Sequence, residues 1–289
     1  MSEINNLVYF LNSMKKTLPF KDDKDFQKKI NENKDFRIKV QKLVYLSKFF
    51  GWNNNYHFNF HINGPFSATL SADYHSTDLI NQECEAIAKI DLDKFNSFVK
   101  NHDNDTLESE STLLYYSNKM DTKNLSKTDS LNILKSLKPH IHQDIASKSY
   151  DNIEKFNLFN QNINDNQIND LDKFEKIVKD KAKGLMDIFE TFDISSNRLF
   201  ILGSLDYFRI VFDHENVKDI EKSELLNKLY NYCEKIEKEY FKNYSKLANF
   251  EYVNLEYLKH DFNSLEEYVS DELGILPKFN EHSDLSIFF

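Results

Sequence analysis

The sequence predicts a mainly helical protein, with a small β element in its first half and a helical bundle in its second. Three observations carry this. The 289 residues include only 5 Gly and 4 Pro, too few turn formers for a strand-rich fold. Apolar residues recur at helical spacing along most of the chain. The period shortens to two only once, where Tyr56, Phe58, Phe60 and Ile62 alternate with His57, Asn59, His61 and Asn63, the pattern of a strand with one buried face. With 40% apolar residues, each half can bury a core.

Taken in order, Ile4, Leu7, Val8, Leu11 and Met14 mark a first helix with Ser2 as its cap, ended by Leu18-Pro19. Lys21 to Asn33 reads as a short, highly charged helix or loop. Asp35 is placed to cap a helix over Phe36–Phe50, apolar on more than half its circumference and therefore buried, with Gly51 at its C-terminal stop. Gly64-Pro65 reads as a turn after the strand, and Ser67 as the cap of a helix reaching about Leu79. Further helices are expected around Leu113–Tyr116, through Leu131–Leu137, and from Ile145 to Phe159 beyond the break at Pro139. Residues 157–170, rich in Asn, Asp and Gln, read as a connection. The expected organisation is therefore a domain over 1–158, a linker over 159–170 and a helical domain over 171–289. In the last of these, helices are expected near 171–190, 197–213, 222–248 and 264–273. The final one carries a Ser264-x-x-Glu267 capping box and stops at Gly274 and Pro277.

Composition excludes several classes of function. No two glycines lie close enough for a dinucleotide fingerprint, a phosphate loop or a nucleophile elbow. Cys84 and Cys233 have neither zinc-ligand spacing nor the number for a disulfide scaffold, which points to a reducing compartment. The apolar run Leu7–Leu11 is too short for a signal peptide, and no stretch approaches the ~18 apolar residues of a membrane span. A cytoplasmic protein is expected, with no cofactor. Glu83 and Glu85 flank Cys84 and make it a poor nucleophile. His57 and His61 share a strand face but stand about 13 Å apart at strand spacing, too far to hold one ion, and with Asn59 they read as a solvent face or a polar contact surface. His140-Ile-His142-Gln-Asp144 superficially resembles the H-x-H-x-D metal motif of metallo-hydrolases, but Ile145 stands where a histidine is required, so no metal site is expected. Trp52 and the strand aromatics can stack bases or fill a core. Leu285, Ile287, Phe288 and Phe289 can dock on the chain itself or be read by a partner.

Charge is unevenly distributed. The net formal charge is −10, which disfavours general binding to phosphate backbones and suits a basic protein partner. Yet Lys15 to Lys48 holds eleven basic residues against five acidic ones. Arg37, Lys39, Lys42 and Lys48 fall on the less apolar side of the 36–50 helix, where they read either as a solvated face or as a contact for nucleic acid or an acidic partner.

Arg37-Ile-Lys-Val-Gln-Lys-Leu-Val-Tyr-Leu46, the 56–62 strand, and Gly64-Pro65-Phe66-Ser67 with Leu70 together form a K-L-Q-K-L-x-Y-L helix, a strand and a G-P-[YF]-S-x-x-L turn. This pattern resembles the YwgA-like proteins and, more distantly, the Panacea (SocA-like) antitoxin domain. Leu137-Lys-Pro-His140 is similar to a K-P-H-F stretch near the end of YwgA-like chains, so the resemblance covers about residues 36–156. It implies a partner-binding antitoxin or proteolytic adaptor, with about 130 C-terminal residues beyond the short domains. Three readings follow: a non-enzymatic antitoxin-like or regulatory adaptor with a protein partner, a winged-helix-like DNA-binding regulator built from the helix, helix, strand, turn and helix of residues 22–79, or an enzyme of phage defence or nucleic-acid processing. Gly64, Pro65 and Ser67 are the structural residues of the pattern. No catalytic residue is assigned.

Overall fold

A computed structural model describes residues 3–76, 78–81, 84, 89–122, 125–161, 163, 170–192, 196–212, 219–248 and 253–273. Among these the chain is mainly helical. Twelve α-helices accompany one two-stranded antiparallel sheet, and no helix is long and apolar enough to cross a membrane. The chain divides into two compact units, residues 1–59 with 63–167, and residues 60–62 with 168–289.

The first unit holds α1 (Glu3–Ser13), α2 (Asp23–Glu32), α3 (Lys34–Ser47), α4 (Ala68–Tyr74), α5 (Leu92–Phe98), α6 (Asn104–Lys119), α7 (Lys127–Leu137) and α8 (Gln143–Lys155). Several ends differ from expectation, each for a local reason. Helix α3 begins at Lys34 because the Asn33 side chain, not that of Asp35, accepts the orphan N–H of Phe36 at 3.0 Å. It closes through a short 3₁₀ turn on Gly51, whose φ of +94° requires glycine. The sheet is also shorter than the alternating pattern predicts: β1 is Asn59–His61 and β2 is Gly64–Phe66. Gly64-Pro65 is thus the second strand, and the reversal lies just before it. Ser67 does cap α4, accepting Leu70 N–H at 3.3 Å. The short α5 is not marked by the sequence pattern.

Helix α3 is central, with Val40, Leu43, Val44 and Leu46 fully buried, and it packs on α2, α6 and β2. Beside it Phe10 stacks near Trp52 (ring centroids 4.8 Å apart), while Phe50 bridges Phe95 (5.3 Å) and Phe98 (5.2 Å). Helix α6 is anomalous for a core helix. Glu108, Ser109, Glu110, Ser111 and Thr112 are all buried, so its charges need partners within the fold.

In the second unit, α9 (Leu171–Glu190), α10 (Ser196–Phe212), α11 (Asp219–Ala248) and α12 (Glu256–Glu267) pack together, and a π-helical turn over Tyr268–Glu272 extends α12. Phe262 sits among Tyr207 (5.4 Å), Phe208 (5.9 Å) and Phe200 (6.1 Å). Ser264 lies inside α12, donating to the His260 carbonyl at 3.0 Å. It is therefore a back-bonded helical serine and not the cap that the spacing predicts. Ser2, Gly274, Pro277 and the last four apolar residues named above lie outside the described residues.

The α9–α11 seam closes around Lys181. Its Nζ lies 2.8 Å from both Glu234 Oε1 and Glu237 Oε2, with lysine and Glu237 each 1% exposed at the side chain. Burial opposes the ammonium, yet Glu237 and Glu234 outweigh it and hold Lys181 charged above its ordinary range. Burial pushes the neighbouring Cys233 thiol up to about 12. Replacing Lys181 with Met removes the ammonium beside the buried Glu237 carboxylate, at an expected cost of about 3–5 kcal/mol. Urea denaturation followed by far-UV circular dichroism should show that loss, and adding Glu237→Met should recover part of it.

Candidate functional site

The three sequence segments that carry the resemblance meet inside the first unit. From α3, the Gln41 side chain forms a pair of hydrogen bonds with one residue's backbone: its Nε2 donates to the Ser67 carbonyl (3.1 Å) and its Oε1 accepts the Ser67 N–H (2.9 Å). The amide therefore acts as a strand partner for the residue just beyond β2. Lys42, the next residue, donates from Nζ to the Pro65 carbonyl at 2.7 Å and is 2% exposed. A Cβ on Gly64 would come within 3.0 Å of Thr112 Oγ1 and 3.2 Å of Lys42 Nζ, and Gly64 has a φ of +80°. Only glycine lets the strand approach α3 and α6 this closely.

Helix α6 supplies the counter-charges. Glu108 Oε1 lies 3.0 Å from Lys138 Nζ, itself 2% exposed, and Glu108 Oε2 lies 3.6 Å from His140 Nε2 at the half-exposed rim. Burial pulls the Lys42 amine well below the usual lysine range. Glu108 opposes that shift and Lys138 adds to it. Burial lowers Lys138 as well, against the pull of Glu108. Two amines and one carboxylate thus share a buried site, and the ammonium of Lys42, bound to a neutral carbonyl, is the more strongly disfavoured of the two.

Two residues along the same helix, Glu110 is fully buried. Its Oε1 accepts from Asn152 Nδ2 (2.7 Å) and faces His102 Nε2 (2.9 Å). His102 Nδ1 faces the Lys100 carbonyl at 3.1 Å. A carbonyl only accepts, so Nδ1 carries a hydrogen, and the contact between Nε2 and the carboxyl needs one more proton. Burial works against the imidazolium, but the Glu110 hydrogen bond and charge outweigh it and raise His102. Burial raises Glu110, with His102 and Asn152 partly offsetting it.

The residues proposed from sequence as contacts have internal duties. Arg37 Nη1 donates to the Ile30 (2.7 Å) and Asn31 (3.2 Å) carbonyls, closing the end of α2. Lys39 donates to the His102 carbonyl at 3.2 Å. Lys42 is buried, not on a solvated face, because α6 covers that side of α3. The Lys48 ammonium sits 5.4 Å from the Phe58 ring centroid. His57 and Asn59 are buried, at 8% and 1% exposed. His61 belongs to the second unit, where its Nε2 lies 3.3 Å from Asp180 Oδ2. Trp52 and the aromatics of 56–60 are core. His142 caps α8, its Nδ1 accepting Asp144 N–H at 3.4 Å. Cys84 is exposed and Cys233 buried. Among the described residues, no group of three or more His, Cys, Asp or Glu side chains is arranged to hold a metal ion.

Glu108, Glu110, His102, Lys138 and Asn152 are absent from the sequence-level candidates. The only signals were the Leu-Lys-Pro-His stretch and two acids in a helix that buries every residue from Leu107 to Tyr115. No family model, curated protein or solved structure matches the chain.

Two outcomes test this cluster, both read from Trp52, the single tryptophan, which is buried in the first unit. Gln41→Leu leaves the Ser67 N–H without its partner, while the Ser67 carbonyl keeps the Ser71 N–H at 3.0 Å, and should cost about 1–3 kcal/mol in urea denaturation followed by tryptophan fluorescence. The His102 pKa is raised on folding, so its contribution to stability is complete below the ordinary histidine value of 6.5 and is lost as pH rises through the folded value. The raised Glu110 value acts in the same direction from 4.5 upward. The wild type should therefore lose stability relative to His102→Leu as pH rises above the ordinary histidine value of 6.5. Parallel profiles would exclude the shared proton.

Proposed function

We propose that the chain is a non-enzymatic interaction protein, an antitoxin-like or regulatory adaptor that acts in the cytoplasm by binding another protein. The observation that carries this reading is how the residues of the YwgA- and Panacea-like pattern are used. Gln41, Lys42, Gly64, Pro65, Ser67 and Lys138 are engaged with one another or with α6. A pattern built from such positions preserves a scaffold, and the work of the scaffold falls to its surfaces. Charge gives the partner a character: residues 168–289 hold 25 acidic against 16 basic side chains, a balance suited to a basic protein.

The order of α2, α3, the β1–β2 hairpin and α4 supports a second reading, a winged-helix-like module in a DNA-binding regulator. Against it, Arg37, Lys39 and Lys42 are hydrogen-bonded to carbonyls of the chain itself.

The test is capture of partners by the intact protein in its own host, followed by mass spectrometry. Under the adaptor reading one protein is enriched specifically, and when it is toxic, co-expression with this chain restores growth. Failure to enrich any protein, together with duplex DNA affinity that falls steeply with added salt, would instead favour the regulator.

A further inference from the structure

The basic residues of the 15–48 segment separate in the fold into two sets. Arg37, Lys39, Lys42 and Lys48 serve internal contacts, whereas Lys15, Lys16, Lys21, Lys24, Lys28 and Lys34 are exposed and Lys29 is half-buried. The three acids interleaved with the exposed set each also accept a backbone N–H. Asp22 caps α2 by accepting Asp25 N–H at 2.9 Å. Asp23, 8% exposed, accepts Ile80 N–H at 2.8 Å. Asp25 accepts Lys21 N–H at 2.9 Å and pairs with Lys29 at 3.2 Å. The Lys21 N–H is the first cause of the lowered Asp25 carboxyl.

The turn that carries the first of these lysines is tied to α2. Lys29 donates to the Pro19 carbonyl, tying the preceding turn to α2. Phe20 packs on Phe26 of that helix (ring centroids 5.1 Å apart), and the Lys15 ammonium sits 5.2 Å from the Phe20 ring centroid. Lys24 and Lys28 are one turn apart on one face of α2. Exposed Glu32 and Asp35 bound this face where α2 meets α3.

Resting on the adaptor reading, we propose that this lysine face docks a short acidic segment of a protein partner. A ten-residue helix is about 15 Å long, a span matched by a few carboxylates. A nucleic acid duplex is the poorer fit, because its phosphates would run past a chain of net charge −10.

The probe is a fluorescein-labelled decaglutamate peptide, titrated with the full chain and followed by anisotropy. The variants are Lys21→Glu/Lys24→Glu/Lys28→Glu, its milder all-Gln counterpart, and Lys148→Glu as an exposed control on α8. Circular dichroism confirms that each folds. Reversal should weaken binding at least about tenfold, the all-Gln variant less, and the control less than about twofold, with wild-type affinity falling as salt rises. Equal binding by wild type and both triple variants overturns the proposal. So does tighter binding of a 20-base-pair duplex than of the peptide, which assigns the face to nucleic acid. Capture from the host separates this proposal from the adaptor reading. A partner held equally by wild type and the reversed variant sinks the lysine face alone, whereas no partner for the wild type sinks both.

Discussion

The amide of Gln41 and the amine of Lys42 leave helix α3 as neighbours, and both bind the backbone of residues 65–67. A strand as short as β2 cannot satisfy its own edge by ladder bonds alone, and buried backbone groups without partners are costly. Gln41 closes the ladder one residue further on, and Lys42 takes the Pro65 carbonyl, so the strand is fixed against the central helix. Gly64 permits that approach, and Ser67, held at its backbone by Gln41, is free at its hydroxyl to start α4. One dipeptide on a helix thereby sets the position of the hairpin and the origin of the next helix.

Bringing Lys42 into the core has a consequence for α6. A buried amine needs either an opposite charge or neutrality, and the site offers one carboxylate, Glu108, to two lysines. Lys138 takes the contact with Glu108, and Lys42, left with a carbonyl, is pulled well below the usual lysine range by burial. Glu110, on the same helix, repeats the problem and meets it with His102 and Asn152. Helix α6 can therefore carry two acids through a core only because the loop before it, the 138–140 stretch after α7, and α8 each bring a partner. The second unit uses the inverse arrangement, one lysine between two glutamates at the α9–α11 seam. Such groups add little net stability over apolar residues of the same shape, but removing one member is expensive, and this makes them specify a particular packing.

These clusters separate what the sequence shows from what it hides. The helices over 171–190, 197–213 and 222–248 were legible because one apolar stripe recurs at 3.6 residues, and Leu225, Leu226, Leu229, Cys233 and Ile236 are buried as that stripe requires. The cap at Ser67 and the stop at Gly51 were legible because both are local. The cap of α3 was misplaced by two residues, since Asn33 and Asp35 are equally good candidates until geometry chooses. The strand was overextended because alternation records burial, and burial continues through Tyr56 and Phe58 where no partner strand runs. Least legible was α6: a Leu-Glu-Ser-Glu-Ser-Thr run reads as a solvated surface, and only partners distant in sequence make it a core.

The same limit governs the charged residues. A count of lysines against acids over residues 15–48 gives the sign of a segment but not the direction in which each charge faces. In the fold, Arg37, Lys39 and Lys42 of α3 donate to carbonyls, and Asp22, Asp23 and Asp25 around α2 accept from N–H groups. Both sets obey one rule, that a buried backbone dipole takes the nearest side chain of complementary sign. Applied along a sequence that alternates the two signs, the rule separates them: carboxylates go to the starts of helices, where N–H groups are free, and ammonium groups go to the ends and to strand carbonyls. Around α2 the surface keeps Lys15, Lys16, Lys21, Lys24 and Lys28 beside the exposed Asp22, Glu32 and Asp35, so lysine is in excess there.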